Sequence, residues 1–520
     1  MGGIKRMMTL EEVMGDLPGA KLYSSVGEPS SHKVQHLACD SRQVQAGSLF
    51  VAIRGYRVDG HRYLQEAVSR GATAAVVEDL ESARHVSIPL IVVDDSRLAL
   101  ALLANRFYGY PSRYLTMIGV TGTNGKTTTS YLIKAIFEAT GQRMGLLGTV
   151  AYEIGQDSRM ASNTTPESLD LQRLLAEMVK QGLSGAVMEV SSHALEMDRV
   201  MGCEFDTAVF TNLTQDHLDF HQTMEGYFLA KQRLFTTLGQ QAVKSTRKTA
   251  VINLDDPWGE RLVSLTRTAV CTYSLSSLRG ANITAREVQS DWAGIRFTAV
   301  TPLGDFPVQS ALIGRYNLYN LLAAIGVGLN HDIPVRTICE GIARLQRVPG
   351  RFEPVDAGQD FIVIVDYAHT EDALRRLLEA VIELRSGRVI AVFGCGGERD
   401  RGKRPAMGRV AALLSDVVIL TSDNPRGENP IEILKEIEDG IRAVRPGWRP
   451  DRHYYLIPDR GEAIERAVGL AEAGDMLVIA GKGHELYQVV GNEQIPFDDR
   501  QVVKETIKRK QAKRQKTTQG

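Results

Sequence analysis

The sequence predicts an α/β protein of three domains: a small N-terminal α/β domain, a central domain with a parallel sheet and a phosphate-binding loop, and a C-terminal Rossmann-like domain. Three observations predict it. Apolar runs of strand length alternate with helical patterns along most of the chain. A Gly-rich turn, Gly122-Thr123-Asn124-Gly125-Lys126-Thr127-Thr128, joins the apolar run Met117-Ile118-Gly119-Val120 to a helical pattern over residues 130–137. A second series of strands and helices starts near Val348-Pro349-Gly350-Arg351-Phe352.

The first domain covers residues 1–110. It alternates short strands, Ser48-Leu49-Phe50-Val51-Ala52-Ile53 and Ala74-Ala75-Val76-Val77, with helical stretches such as residues 63–68. Tyr108-Gly109-Tyr110-Pro111-Ser112 punctuates its end. The central domain, 111–349, adds strands at 185–190, 207–210 and 249–253, with helices between them, so its sheet is parallel. Residues 282–307 read as antiparallel hairpins, and a helix follows over 320–326. The third domain, 350–503, carries strands at 361–365, 389–393, 417–420 and 476–480 and a helix over 373–384. A basic tail, 504–520, reads as a helix end fraying into solvent.

Composition narrows the function. The chain has 520 residues, 43% of them hydrophobic, enough for several buried cores. Its formal net charge of -1 offers no bulk basic field for nucleic acid. No run approaches the ~18 apolar residues that span a bilayer. The N-terminal Met1-Gly2-Gly3-Ile4-Lys5-Arg6 lacks the apolar core of a secretory signal, and Arg6 stands where myristoylation wants Ser or Thr. Cys39, Cys203, Cys271, Cys339 and Cys395 are far apart and odd in number, which fits reduced thiols in a cytoplasm.

Strand, Gly-rich turn and helix are the context of a polyphosphate site. Turn amides and the positive helix end cradle the phosphates, Lys126 reaches the outer ones, and the Thr127 hydroxyl suits Mg²⁺. The loop departs from the common spacing. The Gly expected five residues before Gly125 is Val120, with Gly119 beside it.

Other chemistry sits where strands end, which is where open α/β sheets bind ligands. Glu189 ends a buried strand, and a carboxylate there can hold Mg²⁺ opposite the loop. Residues 211–221 pack Asp216, His217, Asp219 and His221 after another strand; by spacing alone His217 reads as an ordinary satisfied histidine. In the third domain, Asp366 ends a strand and suits ribose hydroxyls. Residues 394–405, 421–426 and 481–485 each follow a strand and bring Arg, Lys, Asp and Glu to one crevice. Guanidinium forks pair with carboxylates and carboxylates receive ammonium groups, so such a set fits a zwitterionic amino acid.

These motifs resemble the Mur ligase family, the ATP-dependent amino-acid ligases of peptidoglycan precursor synthesis, along nearly the whole chain. Asp40-Ser41-Arg42, Asn163-Thr164-Thr165-Pro166, Glu189-Val190-Ser191-Ser192-His193 and the stretch 211–219 are similar to the member that adds the third residue of the stem peptide. Asp423-Asn424-Pro425-Arg426 is similar to the branch that adds meso-diaminopimelate to UDP-N-acetylmuramoyl-L-alanyl-D-glutamate. The resemblance implies ATP and Mg²⁺ organised by Gly122, Thr123, Asn124, Gly125, Lys126, Thr127 and Thr128, with Glu189 and His217 on the metal. It implies that Lys231 is the lysine this family carbamylates, an anionic oxygen ligand once modified; without the resemblance it reads as a helix-surface lysine. Asn317, Asn320, Arg351, Asp366 and His369 match ATP-side positions. Ser41, Asn163, Thr164, Thr165, Ser191 and Arg199 match the UDP-sugar and peptide side. Arg399, Asp423, Asn424, Pro425, Arg426, Gly481 and Glu485 match the diaminopimelate side.

One position departs. Met197 stands where some members carry Gln, and its thioether cannot donate to a UDP-sugar. The expectation is a cytoplasmic, monomeric ligase acting through an acyl phosphate, with no nucleic acid and no membrane span. The alternatives are the lysine-adding ligase of the same step and a P-loop ATPase that joins nothing.

Overall fold

A computed structural model describes all residues except 1–6, 16, 24–32, 56–57, 241–242 and 519–520, and side chains to residue 512. The first sheet orders its five strands Lys21–Tyr23, Leu90–Val92, Ala72–Val77, Ser48–Val51 and His36–Ala38. Only the first of these runs antiparallel to its neighbour. The helix Ser96–Phe107 starts where the Asp95 carboxylate accepts from the amides of Arg97 and Leu98, a side-chain N-cap. It buries Leu100, Leu103 and Phe107 against the sheet. It ends at Tyr108, and Tyr110 turns the chain with a φ of 56°.

The central sheet has eight strands, in the order Asp157–Met160, Ala151–Ile154, Met144–Leu147, Gly185–Glu189, Thr116–Thr121, Thr207–Phe210, Thr249–Asn253 and Ala269–Tyr273. It is parallel from Met144–Leu147 onward, and an antiparallel hairpin extends the first edge. The phosphate-loop strand Thr116–Thr121 lies in the interior, flanked by the strand that ends at Glu189. The expected hairpins form a three-stranded antiparallel sheet, Thr284–Asp291, Gly294–Val300 and Phe306–Ser310. Its Ile295 and Phe297 share one core with Ile133 and Phe137 of the helix Lys126–Ala139 and Leu321 of the helix Asn317–Asn330. Burial of that apolar surface, not local propensity, fixes how these elements meet.

The third sheet orders Glu353–Pro354, Ile362–Asp366, Met476–Ala480, Val389–Phe393, Val417–Leu420 and Tyr454–Leu456, parallel except for the first. Both faces are covered, as near-continuous apolar strands require. The helix Asp499–Thr518 runs through the point where the tail was expected to start. Its Val503 and Ile507 are buried against the sheet, so the packed part of the chain continues beyond residue 504. Apolar residues at i and i+4 hold that first half down despite the basic residues around them.

No helix among the described residues is long and apolar enough to cross a membrane. All five cysteines are free thiols.

Candidate active site

The strand Thr116–Thr121 delivers the loop, and the helix Lys126–Ala139 begins directly after it. Gly125 takes a φ of 86° as N-cap, and no side chain caps the helix. The first helical amides are therefore open to an anion. Gly122 also has positive φ, and a Cβ there would lie 1.9 Å from Thr211 Oγ1. Only glycine fits this approach. Lys126 Nζ donates to the carbonyl oxygens of Gly122 (3.0 Å) and Thr123 (2.8 Å), curled over the loop. Burial lowers its pKa, with Glu189 and Asp216 opposing. Gly119, beside Val120, serves packing: a Cβ there would lie 2.9 Å from the Phe205 ring.

Glu189 is 1% exposed and meets three donors. Thr127 Oγ1 and Thr149 Oγ1 donate to its Oε2 at 3.0 Å each, and the Thr149 amide donates to Oε1 at 2.9 Å. Gly148 gives the carboxylate room, because a Cβ there would lie 2.3 Å from Oε1. His217 lines the same cavity. Burial pushes its pKa down to about 3, with Asp216 opposing, so the ring is neutral.

Lys231 is 2% exposed, and its Nζ donates to Gly122 O at 2.8 Å and sits 4.5 Å from the Tyr227 ring centre. Burial, then Lys126, holds this amine well below its ordinary pKa. The helix-surface reading of Lys231 is thus overturned. A buried amine depressed in this way is nucleophilic, as carbamate formation from CO₂ needs.

No group of three or more His, Cys, Asp or Glu that could hold a metal occurs among the described residues. One carboxylate, one hydroxyl and one neutral imidazole around a polyphosphate cradle do fit Mg²⁺, which keeps waters and phosphate oxygens as ligands.

The third domain completes the cavity. Arg351, Asp366, Tyr367, His369, Arg376 and Leu377 line it opposite residues 123–128 of the loop. Arg351 Nη2 donates to Thr127 Oγ1 at 2.9 Å, and its guanidinium stacks 4.5 Å over Tyr367. Asp366 accepts from the amides of Phe352 and Ala368, each at 2.7 Å, and burial raises its pKa. Asn124 Nδ2 donates to Asp372 Oδ2 at 2.9 Å across the two domains. Asn320 reaches the cavity, held by Thr129 and by Asn317, which is itself anchored to Ile313 O.

A second cavity shares Thr149, Thr164 and Tyr367 with the first and extends past Asn163 to Glu485 and Arg500. Thr165 is fully buried and donates to Glu189 O at 2.8 Å, and the Ser191 amide donates back to its hydroxyl at 3.0 Å. Arg199 bonds Thr165 O (3.1 Å), Glu167 (2.6 Å) and Met197 Sδ (3.5 Å). Met197 therefore serves as an acceptor for Arg199, the one hydrogen-bonding role a thioether has. Ser41 lines neither cavity; it lies on the first domain and donates to Glu66 at 2.9 Å.

The remaining charged residues gather at the ends of the third sheet. Asp423 is 8% exposed, and no donor among the described residues is hydrogen-bonded to its carboxylate. Gly481, at φ +113°, brings the backbone so near that a Cβ would lie 2.7 Å from Asp423 Oδ2. Arg426 Nη1 rests on Gly397 O at 2.7 Å and Arg399 Nη1 on Glu398 O at 3.1 Å. Burial and then neighbouring Arg399 lower the Arg426 pKa, with Asp423, Glu485 and Glu398 opposing. Asn424 donates to Glu485 at 3.1 Å, and Pro425 joins it to Arg426. Of this group only Glu485 borders the second cavity.

Sequence reasoning missed Thr149 and gave Asp216, Lys403 and Lys482 no partner of their own. Thr149 follows a four-residue strand too short to stand out. Lys482, fully buried, donates to Asn424 (3.1 Å) and Glu485 (2.8 Å). Lys403 and Asp216, both buried, meet at 3.5 Å between the domains. The usable signal was a charged residue inside an apolar or Gly-rich strand end.

A phosphate-loop domain facing a second α/β domain, with residues of both lining one cavity, is the arrangement of a nucleotide-dependent ligase. Three family profiles match in chain order: "Mur ligase family, catalytic domain" at 33–108, "Mur ligase middle domain" at 120–328 and "Mur ligase, glutamate ligase domain" at 350–483. The chain belongs to the Mur ligase family.

It is 46% identical over 501 residues to the UDP-N-acetylmuramoyl-L-alanyl-D-glutamate--2,6-diaminopimelate ligase of Geobacillus thermodenitrificans, covering 96% of this chain and 99% of that one. The ligase of the same name from Geobacter metallireducens is 47% identical over 491 residues, 92% and 95% of the two chains. A solved structure of a ligase of that name matches with a TM-score of 0.67 at 33% identity, over 97% of this chain and all of the other. The fold is also that of the MurF ligase from Thermotoga maritima in complex with ADP, at a TM-score of 0.62 and 19% identity over 92% and 98% of the chains.

Proposed function

We propose that the protein joins meso-diaminopimelate to UDP-N-acetylmuramoyl-L-alanyl-D-glutamate at the expense of ATP, in peptidoglycan precursor synthesis. The observation that carries this reading is the charge set at the ends of the third sheet. The unpartnered Asp423 carboxylate suits an ammonium, and adjacent Arg399 and Arg426 suit the far carboxylate that diaminopimelate has and lysine lacks. Near full-length similarity to ligases of that name supports it.

The reaction follows from the two cavities. The D-glutamate carboxylate, held near Thr164, Ser191 and Arg199, attacks the ATP γ-phosphate and releases ADP, leaving an acyl phosphate. Lys126 offsets charge on the transferring group, while Asn317, Asn320, Arg351, Asp366 and His369 hold the nucleotide. Thr127, Glu189, His217 and carbamylated Lys231 would hold Mg²⁺, which screens the phosphate oxygens as a Lewis acid. The amine of diaminopimelate then attacks the acyl carbon, the tetrahedral intermediate collapses, and phosphate leaves. Contacts across the domain interface from Arg351 and Asp372 keep water out of this step. Ser41 binds the uridine end on the first domain. The protein works in the cytoplasm as a monomer.

The test is phosphate release with Mg-ATP and the UDP-muramoyl-dipeptide, scanned over meso-diaminopimelate, L-lysine and L-ornithine. Release that depends on diaminopimelate is expected. Equal rates with all three amino acids, or release that needs none, would overturn the reading.

A further inference from the structure

We propose that His484 is a positioning residue that sets the Glu189 carboxylate through Thr149, tying the amino-acid-selecting loop of the third domain to the phosphate site of the central one. The inference rests on the function proposed above.

His484 follows the strand Met476–Ala480, in the same loop as Gly481, Lys482 and Glu485. Its Nε2 lies 3.2 Å from Thr149 O, so the ring donates there. The amide and hydroxyl of that same Thr149 supply two of the three hydrogen bonds that the Glu189 carboxylate accepts. One residue therefore receives the third domain on its carbonyl and aims the Glu189 carboxylate with its other polar groups. Thr149 also shares a 3.1 Å contact with the Thr164 hydroxyl, next to where the dipeptide carboxylate enters.

The imidazole is held for this task. It packs against Tyr367 with ring centres 5.1 Å apart. Gly350 presses on its backbone: a Cβ there would lie 2.3 Å from His484 N. Burial, then Arg351, pushes the ring pKa down to about 3, so it stays neutral with the proton on Nε2. Nδ1 is buried and has no partner among the described residues, so the Thr149 contact fixes the tautomer. A cation in this place would compete with Lys126 and Arg351 for phosphate; a neutral donor does not. Glu485, one residue on, is tied to Lys482 and Asn424 of the amino-acid site. Amino-acid binding there steadies the loop, and through His484 it steadies Glu189.

The experiment compares His484→Phe and His484→Gln with the parent enzyme. Phe keeps the ring against Tyr367 and removes the donor; the Gln amide can still donate to Thr149 O. For Phe, kcat falls about tenfold while KM for ATP and for diaminopimelate stays within about threefold, the cost of one aligned hydrogen bond. Mn²⁺ affinity in the presence of a non-hydrolysable ATP analogue, read by electron paramagnetic resonance, falls by a similar factor, and Gln restores most of both. If His484→Phe does not fold, His484→Ala takes its place. Unchanged kcat and Mn²⁺ affinity would overturn the inference. So would an equal loss in Phe and Gln, or a loss confined to KM for diaminopimelate. A parent enzyme that shows no diaminopimelate-dependent phosphate release sinks the proposed function instead, and the Mn²⁺ readout separates the two failures.

Discussion

Arg351 crosses from the third domain to donate from Nη2 to Thr127 Oγ1 at 2.9 Å, while the same hydroxyl donates to Glu189 at 3.0 Å. One threonine of the phosphate loop thus contacts a domain more than two hundred residues away in sequence. The arrangement brings a cation to the loop only when the domains are together. It stacks on Tyr367, which shapes both cavities. Arg351→Ala is expected to raise KM for ATP about 10- to 100-fold, the span of a charge-assisted hydrogen bond, with a smaller change for diaminopimelate. Initial rates against ATP at saturating amino acid check it; an unchanged KM for ATP would remove Arg351 from the nucleotide site.

Arg426 addresses the other substrate. It lies 59 residues before Glu485 in sequence, on a different strand end, and touches none of the loop residues 122–128. Arg426→Ala is expected to weaken diaminopimelate about 10- to 100-fold while nucleotide binding stays near normal. Calorimetric titration with each ligand separates the effects. An equal loss of both would show that the side chain supports the fold of the domain and not the choice of amino acid.

Lys231 makes a chemical prediction. Its amine is buried beside Lys126 and bonded to Gly122 O at 2.8 Å, with its pKa held down by burial. Turnover in CO₂-free buffer is expected to drop and to recover on adding bicarbonate, with a carbamate signal in the ¹³C spectrum of enzyme equilibrated with labelled bicarbonate. Turnover indifferent to CO₂, together with an absent signal, would leave Lys231 as a plain amine.

These sites differ in how far the sequence discloses them. Gly122 to Thr128 and Glu189 are legible because a phosphate loop and a strand-end carboxylate are local patterns, each contained in a few residues. Lys231 is not: on a helical wheel it is one more lysine, and only the fold shows it 2% exposed. Asp216 and Lys403 lie 187 residues apart, and their pairing follows from how the two domains pack, which no local period encodes. Burial raises the pKa of Asp216, yet Lys403, His217 and His369 together hold it well below its ordinary value. The three-stranded sheet at 284–310 was readable from alternation, whereas Met144–Leu147 was too short and too glycine-rich to be read as a strand.

Buried histidines set an acid limit, His331 and His484 among five whose pKa burial lowers. His331, bonded to Thr207 at 2.8 Å, and His484 both have pKa values lowered by burial, the latter to about 3. Folded, they stay neutral below 6.5 while the unfolded chain takes up protons, so stability falls as pH drops from about 6.5 toward the folded values. Each contributes a slope of at most about 1.4 kcal/mol per pH unit. Asp206, held below its ordinary 3.8 by Lys244 and Lys248 against burial, adds to the loss only at still lower pH. Urea midpoints are expected to fall between pH 7 and pH 5, less steeply in His331→Gln. A flat profile would refute the buried neutral state.

Arg460 and Asp499 form an ion pair in which both side chains are fully buried, with Nε 2.7 Å from Oδ1 and Nη2 2.8 Å from Oδ2. The guanidinium also donates to Ala480 O at 3.0 Å and Ser422 O at 3.3 Å. Those carbonyls precede Gly481 and Asp423, so the pair fixes the two strand ends that carry the amino-acid site. Removing one partner leaves the other charge buried and alone, at a cost of about 3–5 kcal/mol. Arg460→Met is therefore expected to lower the melting temperature sharply. Asp499→Leu added to it should recover part of the loss, because the stranded charge is gone. The double variant still lacks the donors to both carbonyls, so KM for diaminopimelate should stay high after stability returns. Thermal melts and initial rates on the two variants separate these effects. Recovery of stability and of KM together would mean that the pair supports the fold alone.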